Sequence, residues 1–495
     1  LKEAGQHSNT LSGRVLRWWQ QQESPQRLFT TFSVLIVLSL LTGIAGAWYF
    51  LAAVPALVLV IFLTLVDIRA VFTLLLICIP LSTELQLTNG LGLDLPTEPL
   101  MVGLMLVSLL LLLRKGPWLD KSPIIHPVSL LLFLHIGWIA ISAFLSHQPI
   151  VSFKFLAGKI WYVVPFFFLA MRMLKTEKDI KRFFWAVFLP LLLTILVVTA
   201  RHAAQGFTFA EIHWVLSPFY RNHVSYAAII VLFTPFVWFV RQWYPKGSRA
   251  RWLITLSLPI LLIAIQLSYT RAAYVSVVAA IGAYYVIRWR LTKWALALVV
   301  AGSIAGLAYM VMDNRYLDYA PNYETTVTHK DFNNLLQATY QMEDISTMER
   351  LYRWVAGFNM TAAEPLFGFG PGNFYFFYKS YTVTSFTTYV SDNPERSGIH
   401  NYYLMTLVEQ GIVGLLIYLA LVFYALIRGE AIYANAKSQR DKQIVMMAML
   451  CIIIISVMQL INDLVETDKV GPFFFMSLAI LVNLDLKHRR SLRGS

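Results

Sequence analysis

Residues 183–200 read FFWAVFLPLLLTILVVTA, a run without one charged side chain. At about 1.5 Å of rise per residue, a helix of this length crosses nearly the roughly 30 Å of a bilayer's hydrocarbon. Lipid offers no partner for a backbone amide, so the run must close its own hydrogen bonds as a helix. The same logic extends outward to LFTTFSVLIVLSLLTGIAGAW at 28–48 and MMAMLCIIIISVMQLI at 446–461. With 58% hydrophobic and 14% charged residues among 495, and a mean hydropathy of +0.61, the chain holds more apolar surface than one globular core can bury. It reads as an all-α polytopic membrane protein.

Apolar segments fall near 28–46, 48–66, 70–83, 98–113, 126–146, 152–171, 183–200, 221–240, 252–268, 272–287, 294–312, 412–427, 443–461 and 470–486. The short 70–83 run carries Pro80, and some pairs are closely spaced, so the expectation is twelve to fourteen transmembrane helices. The first run follows Arg14, Arg17 and Arg27 and is joined at once to a second, the pattern of an uncleaved anchor. Placing the N-terminus inside puts 28 of the 40 Lys and Arg on the cytoplasmic side. Segments 1–27 and 487–495 then lie in the cytoplasm, helices fill 28–312 and 412–486, and one large insertion, 313–411, lies on the far side. The net charge of +13 is this topogenic surplus facing membrane lipids, not a nucleic-acid surface. Cys78 and Cys451 both sit inside spans, which gives no basis for a disulfide or a thiolate metal site.

The insertion is rich in Tyr, Phe, Asn and Thr, and reads as a folded, helical loop rather than a disordered one. Within it, Ser346 and Glu349 have capping-box spacing and Pro365 closes the far end, predicting a helix over about 347–362. Leu351, Trp354, Val355 and Phe358 share one side of that helix, with Arg350 and Arg353 toward another. FGFGPGNF at 367–374 then spells a tight turn that lets backbone approach a neighbour or a ligand closely, without the Lys-Ser/Thr ending of a P-loop.

SGIHNYYLMTLVEQGIVGLL, 397–416, passes from polar loop to membrane. A short interfacial helix over 400–410, a break at Gly411 and a span from 412 would keep Glu409 out of lipid. His400 then opens the interfacial helix. Arg201, Arg221 and Arg271 mark outer ends of spans, and Lys154 and Lys159 enter the outer half of another. Snorkelling accounts for each singly. Together, on the side where cations are normally scarce, they fit an anion site, and arginine's planar fork suits phosphate. Asp-x-Asp, HExxH, clustered His/Cys ligands and Gly-x-Ser-x-Gly are all missing, and Glu343–Asp344 is an isolated acidic pair.

HNYYLMTLVEQGIVG, in which nine residues separate His400–Asn401 from Gly411, together with TRAAY (Arg271), ERLYRW (Arg350, Trp354) and PLFGFGPGNF, resembles the O-antigen ligase family, within a larger group that holds O-antigen polymerases and bacterial O-oligosaccharyltransferases. The resemblance implies a GT-C-like membrane glycosyltransferase of the bacterial inner membrane with its active site facing the periplasm. It implies transfer of O-antigen from undecaprenyl diphosphate to lipid A-core by a metal-independent, inverting displacement, with no cofactor. His400 would be the general base, and Arg271 and Arg350 would hold the diphosphate. Arg221 is added from its position and Arg353 as an alternative to Arg350, with Asn401, Lys159 and Gly411 in support. A polymerase or a protein O-oligosaccharyltransferase would use the same donor, but the short stretch after 486 leaves no added domain for recognising a protein. A polyprenyl-glycan transporter should instead show broken helices near mid-membrane and paired halves.

Overall fold

The computed structural model describes residues 30–42 in part, 51, 53–87, 91–113, 121–320, 344–388, 391–393 and 397–493. The expected span at 28–46 and the acidic residue Glu343 therefore lie partly or wholly outside the described residues. Helix α1 (Ala53–Val66) turns into α2 (Ile68–Cys78) at Asp67, whose carboxylate accepts from the amides of Arg69 and Ala70 at 2.9 and 3.0 Å. An antiparallel hairpin follows, β1 (Thr83–Leu87) on β2 (Leu91–Leu95), with Thr83 opposite Leu95. This hairpin departs from the all-helical expectation. Its signal is Asn89–Gly90 between two alternating runs, a turn dipeptide outweighed by the long apolar segments around it.

The chain continues through α3 (Thr97–Leu113), α4 (Pro127–Phe144), α5 (Pro149–Met173), α6 (Glu177–Ala204), α7 (His223–Val240), α8 (Arg249–Leu267), α9 (Arg271–Arg288) and α10 (Thr292–Val311). After the insertion helix α11 (Ile345–Ala363) come α12 (Tyr402–Asn435), α13 (Gln439–Met458) and α14 (Gly471–Arg493). Each expected apolar segment from 48 onward coincides with one of these helices. Eight described helices are long and apolar enough to cross a membrane, and α1, α2 and α3 are shorter apolar helices. Helices α7 and α13 are buried nearly all round, whereas α10 turns Leu298, Val299 and Ile304 outward, as a lipid-facing helix does. Cys78 and Cys451 are buried and unpaired.

Polar contacts collect at two ends of the bundle. One end holds Asp485, bonded by His126 at 2.9 Å and by Arg428 at 2.6 Å, and Glu430, which accepts from the Thr292 amide at 2.9 Å. The other end holds Asp468 and Lys469, Ser146 with Asn373, Glu409, and Arg271 with Asp344. These two sets are the ones that the charge rule assigns to opposite sides.

At the second end, Tyr352, Met360, Phe374, Tyr378 and Phe386 belong to a small core of their own, separate from the main one. It sits on a break in α12. Gly411 has φ 68° and ψ −177°, a conformation open essentially to glycine alone, and it interrupts the helix as the sequence predicts. The backbone groups freed by the break are taken up by neighbours. The Trp138 indole donates to the Gln410 carbonyl at 2.8 Å, and the Ile412 amide to Pro365 at 2.9 Å. Phe369 and Gly370 donate to the carbonyls of Val408 and Glu409 at 3.0 and 2.9 Å. The buried Glu409 carboxylate then accepts from the amides of Gly372 at 2.8 Å and Phe374 at 3.1 Å. Close approach is what the glycines supply: a Cβ on Gly368 would fall 2.5 Å from the Val408 carbonyl.

Gly411→Ala is expected to destabilise the protein by about 3 kcal/mol or more, since its Cβ would lie 2.0 Å from the Leu366 carbonyl in a conformation that alanine avoids. Gly137→Ala, into open space on α4, should cost nothing. Melting of the detergent-solubilised chain checks both; equal melting temperatures for the two variants would refute the bracing role of the break.

Candidate functional site

The insertion reaches the bundle through α11. Its cap is Asp344, whose carboxylate accepts from the Thr347 amide at 3.1 Å and the Thr347 hydroxyl at 2.7 Å. This corrects the expected capping box. Ser346 lies inside the helix, and Glu349 is engaged by Arg353 at 3.2 Å and by Ser391 at 2.7 Å. The buried face also differs from the expected one. It carries Met348, Tyr352, Ala356 and Met360, four residues apart each, while Phe358 is exposed. Counting only the large apolar residues hid this stripe, because alanine and methionine line it.

Arg271 begins α9. Its Nη2 donates to Asp344 at 3.1 Å and to the Ser346 hydroxyl at 3.0 Å. Arg350, one turn along α11 from Ser346, donates to the same hydroxyl at 3.4 Å through Nη1. Two guanidinium groups thus converge on one hydroxyl, and Arg271 also meets the Asp344 carboxylate. The Arg350 Nε is buried without a hydrogen-bond partner among the described residues. Burial, with the like charge of Arg271 beside it, pushes Arg350 down to about 10. Burial alone would raise the Asp344 carboxyl, yet hydrogen bonding from Thr347 and the charge of Arg271 hold it below its ordinary value.

Arg353 is occupied elsewhere. Its Nη2 meets Glu349, its Nη1 donates to the Gly398 carbonyl at 3.3 Å, and the side chain is almost fully buried. Next to it, the Trp354 indole donates to the Ile399 carbonyl at 3.0 Å. On the other side of His400, the Tyr402 amide donates to the Gln459 carbonyl at 2.9 Å, and Asn401 caps α12 by accepting from the Leu404 amide at 3.0 Å. His400 is therefore pinned on both flanks, and it sits in the left-handed region at φ 55°. Burial, then the charges of Arg350 and Arg353, push its imidazole down to about 4.

The structure thus brings Arg271, Arg350 and Arg353 to α11 and the His400 loop. The other expected residues stand apart. Arg221 is largely exposed, its Nε 3.6 Å from Glu84. Lys159 is buried and held by Glu466 and the Tyr402 hydroxyl, so its charge is met within the protein. Arg201 donates to the Ser217 carbonyl. Asn401 and Gly411 shape the backbone. Among the described residues, no group of three or more His, Cys, Asp or Glu is placed to hold a metal ion. Sequence reasoning passed over Asp344, set aside as an isolated acid; its signal was the Asp-x-x-Thr spacing ahead of a helix.

Residues 256–419 match the family model described as O-antigen ligase, a stretch that runs from α8 through Arg271, the insertion and His400 to just past the break at Gly411. A search of curated proteins finds no match to the chain. Over this third of its length the chain is similar to the O-antigen ligase family.

Proposed function

We propose that the protein joins O-antigen polysaccharide, carried on undecaprenyl diphosphate, to lipid A-core at the periplasmic face of the bacterial inner membrane, on a GT-C-like fold. The observation that carries this reading is the pair of guanidinium groups sharing the Ser346 hydroxyl, on the helix that also bonds the backbone on the N-terminal side of His400 through Arg353 and Trp354. In the reaction, His400 takes the proton from an acceptor hydroxyl as that oxygen attacks the anomeric carbon. The bond from the carbon to the phosphate oxygen breaks, and the diphosphate departs with its charge held by Arg271 and Arg350. A single displacement of this kind inverts the anomeric centre. The reading assigns no metal and no cofactor. Between the two candidates on α11, Arg350 is the phosphate ligand, because Arg353 is engaged by Glu349 and Gly398. Arg221, exposed at the rim, meets the incoming donor, and Lys159 supports the Tyr402 end of α12.

The depressed imidazole has a place in this scheme. Buried, and with the charges of Arg350 and Arg353 near it, His400 is neutral but weakly basic. A bound diphosphate offsets the charge of Arg350 and returns part of the ring's basicity, so proton abstraction becomes more effective once donor is in place.

His400→Asn keeps a residue tolerant of φ 55° while removing the base. It should abolish glycan attachment at an unchanged level of folded protein, and normally capped lipopolysaccharide from this variant would remove the assignment. Arg271→Ala and Arg350→Ala should weaken competition by a polyprenyl diphosphate by about tenfold or more; unaltered competition counts against the anion site. The ring of His400, followed by NMR, should titrate near 4 and rise in Arg350→Gln, while burial and Arg353 keep it below 6.5. Because the folded value lies below the unfolded one, the unfolded chain takes up this proton first, and the residue's contribution to stability falls as pH drops from about 6.5 toward 4. A ring titrating near 6.5 in both proteins would contradict the proximity of the arginines.

A further inference from the structure

His223 opens α7 directly after its cap Asn222, whose side chain accepts from the Ser225 amide at 2.8 Å. The imidazole packs edge-on against His213, with ring centroids 4.7 Å apart. Its backbone carbonyl accepts the Thr270 hydroxyl at 3.2 Å, so the helix bearing His223 and the helix bearing Arg271 start from one point. Thr270 directly precedes Arg271, so His223 and Arg271 stand at adjoining helix starts. His223 Nδ1 is buried and has no hydrogen-bond partner among the described residues, and the same holds for Arg350 Nε. Buried polar atoms nearly always have partners, and a group arriving from outside would supply one here.

We propose that His223 is a further ligand of the anion site, its Nδ1–H donating to a phosphate oxygen of the diphosphate that Arg271 and Arg350 hold; this rests on the reading of that site as diphosphate-binding. A neutral imidazole carries one N–H. A neutral donor adds a directional contact without adding to the repulsion among the cations. The three donors come from α7, α9 and α11, so the diphosphate ties together the starts of two bundle helices and the insertion. Neither composition nor spacing singles out this histidine, because it follows Arg221, the more conspicuous residue of YRNHVSYA.

The test titrates inorganic pyrophosphate into the purified full chain in detergent by calorimetry. His223→Ala should weaken binding about tenfold, and His223→Asn, which offers an amide donor near the position of Nδ1, should stay within about threefold of the parent protein. Binding by His223→Ala equal to that of the parent overturns the proposal, as does an Asn variant that falls as far as the Ala variant. Ring-nitrogen NMR of the parent chain gives a readout that needs no variant: the His223 Nδ1 signal should shift on adding pyrophosphate, and an unmoved signal overturns the assignment. Arg271→Ala and Arg350→Ala run alongside. If both also bind like the parent, the diphosphate reading itself fails; if they lose binding while His223→Ala does not, only the present inference falls.

Discussion

The end of the bundle that carries the insertion depends on the carboxylate of Glu409 and the break that follows it. A charged side chain at the edge of a span is costly in lipid, and here it is withdrawn into protein, where two backbone amides of the glycine turn satisfy it. The break frees carbonyls and an amide that the same turn, Pro365 and Trp138 take up. One kink therefore solves two problems, burying an acid and docking a loop. Aromatic side chains beyond the turn, Phe374 stacked on Tyr378 at 5.0 Å among them, carry the fixation on to α11. The turn thus adds to the direct bonds of α11, through Asp344 and Ser346, with Arg271 of the bundle.

What α11 brings with it is a pair of like charges. Arg271 and Arg350 share Ser346, and Arg271 also meets Asp344. Glu349 and Arg353, one turn on, are paired with each other, and Thr388 and Ser391 also bond to Glu349. The contrast is that Arg353 touches a carboxylate, whereas Arg350, among the described residues, touches the Ser346 hydroxyl. In the proposed order of events, the donor's diphosphate arrives before the imidazole of His400 becomes a more effective base.

Much of this was legible in the sequence, and the failures have physical causes. Long apolar runs announced the bundle because lipid leaves the backbone no alternative to a helix, and Gly411 announced its break because Glu409 and Gln410 stand beside it. The hairpin at 83–95 was masked by its apolar neighbours despite a turn dipeptide. On α11 the apolar count found Leu351, Trp354 and Val355, which flank the insertion's core, but missed the buried stripe of Met348, Tyr352, Ala356 and Met360 and included the exposed Phe358. Pairing was the least legible property. Nothing in the order of residues shows that Lys159 would be met by Glu466 across the fold, that Arg353 would be enclosed, or that Asp344 would face Arg271. These depend on contacts between segments far apart in the chain, which one sequence does not display.

The central claim is that Arg271 and Arg350, held together through the docked insertion, bind a lipid-linked diphosphate beside His400. The most direct measurement is a cryo-electron microscopy map of the full chain with a polyprenyl diphosphate bound. The account predicts density for both phosphates against the guanidinium groups of Arg271 and Arg350, with the reacting end of the ligand turned toward His400. Diphosphate density at the opposite end of the bundle, near Arg428 and Asp485, with Arg271 and Arg350 still closed on Asp344 and Ser346, would contradict it.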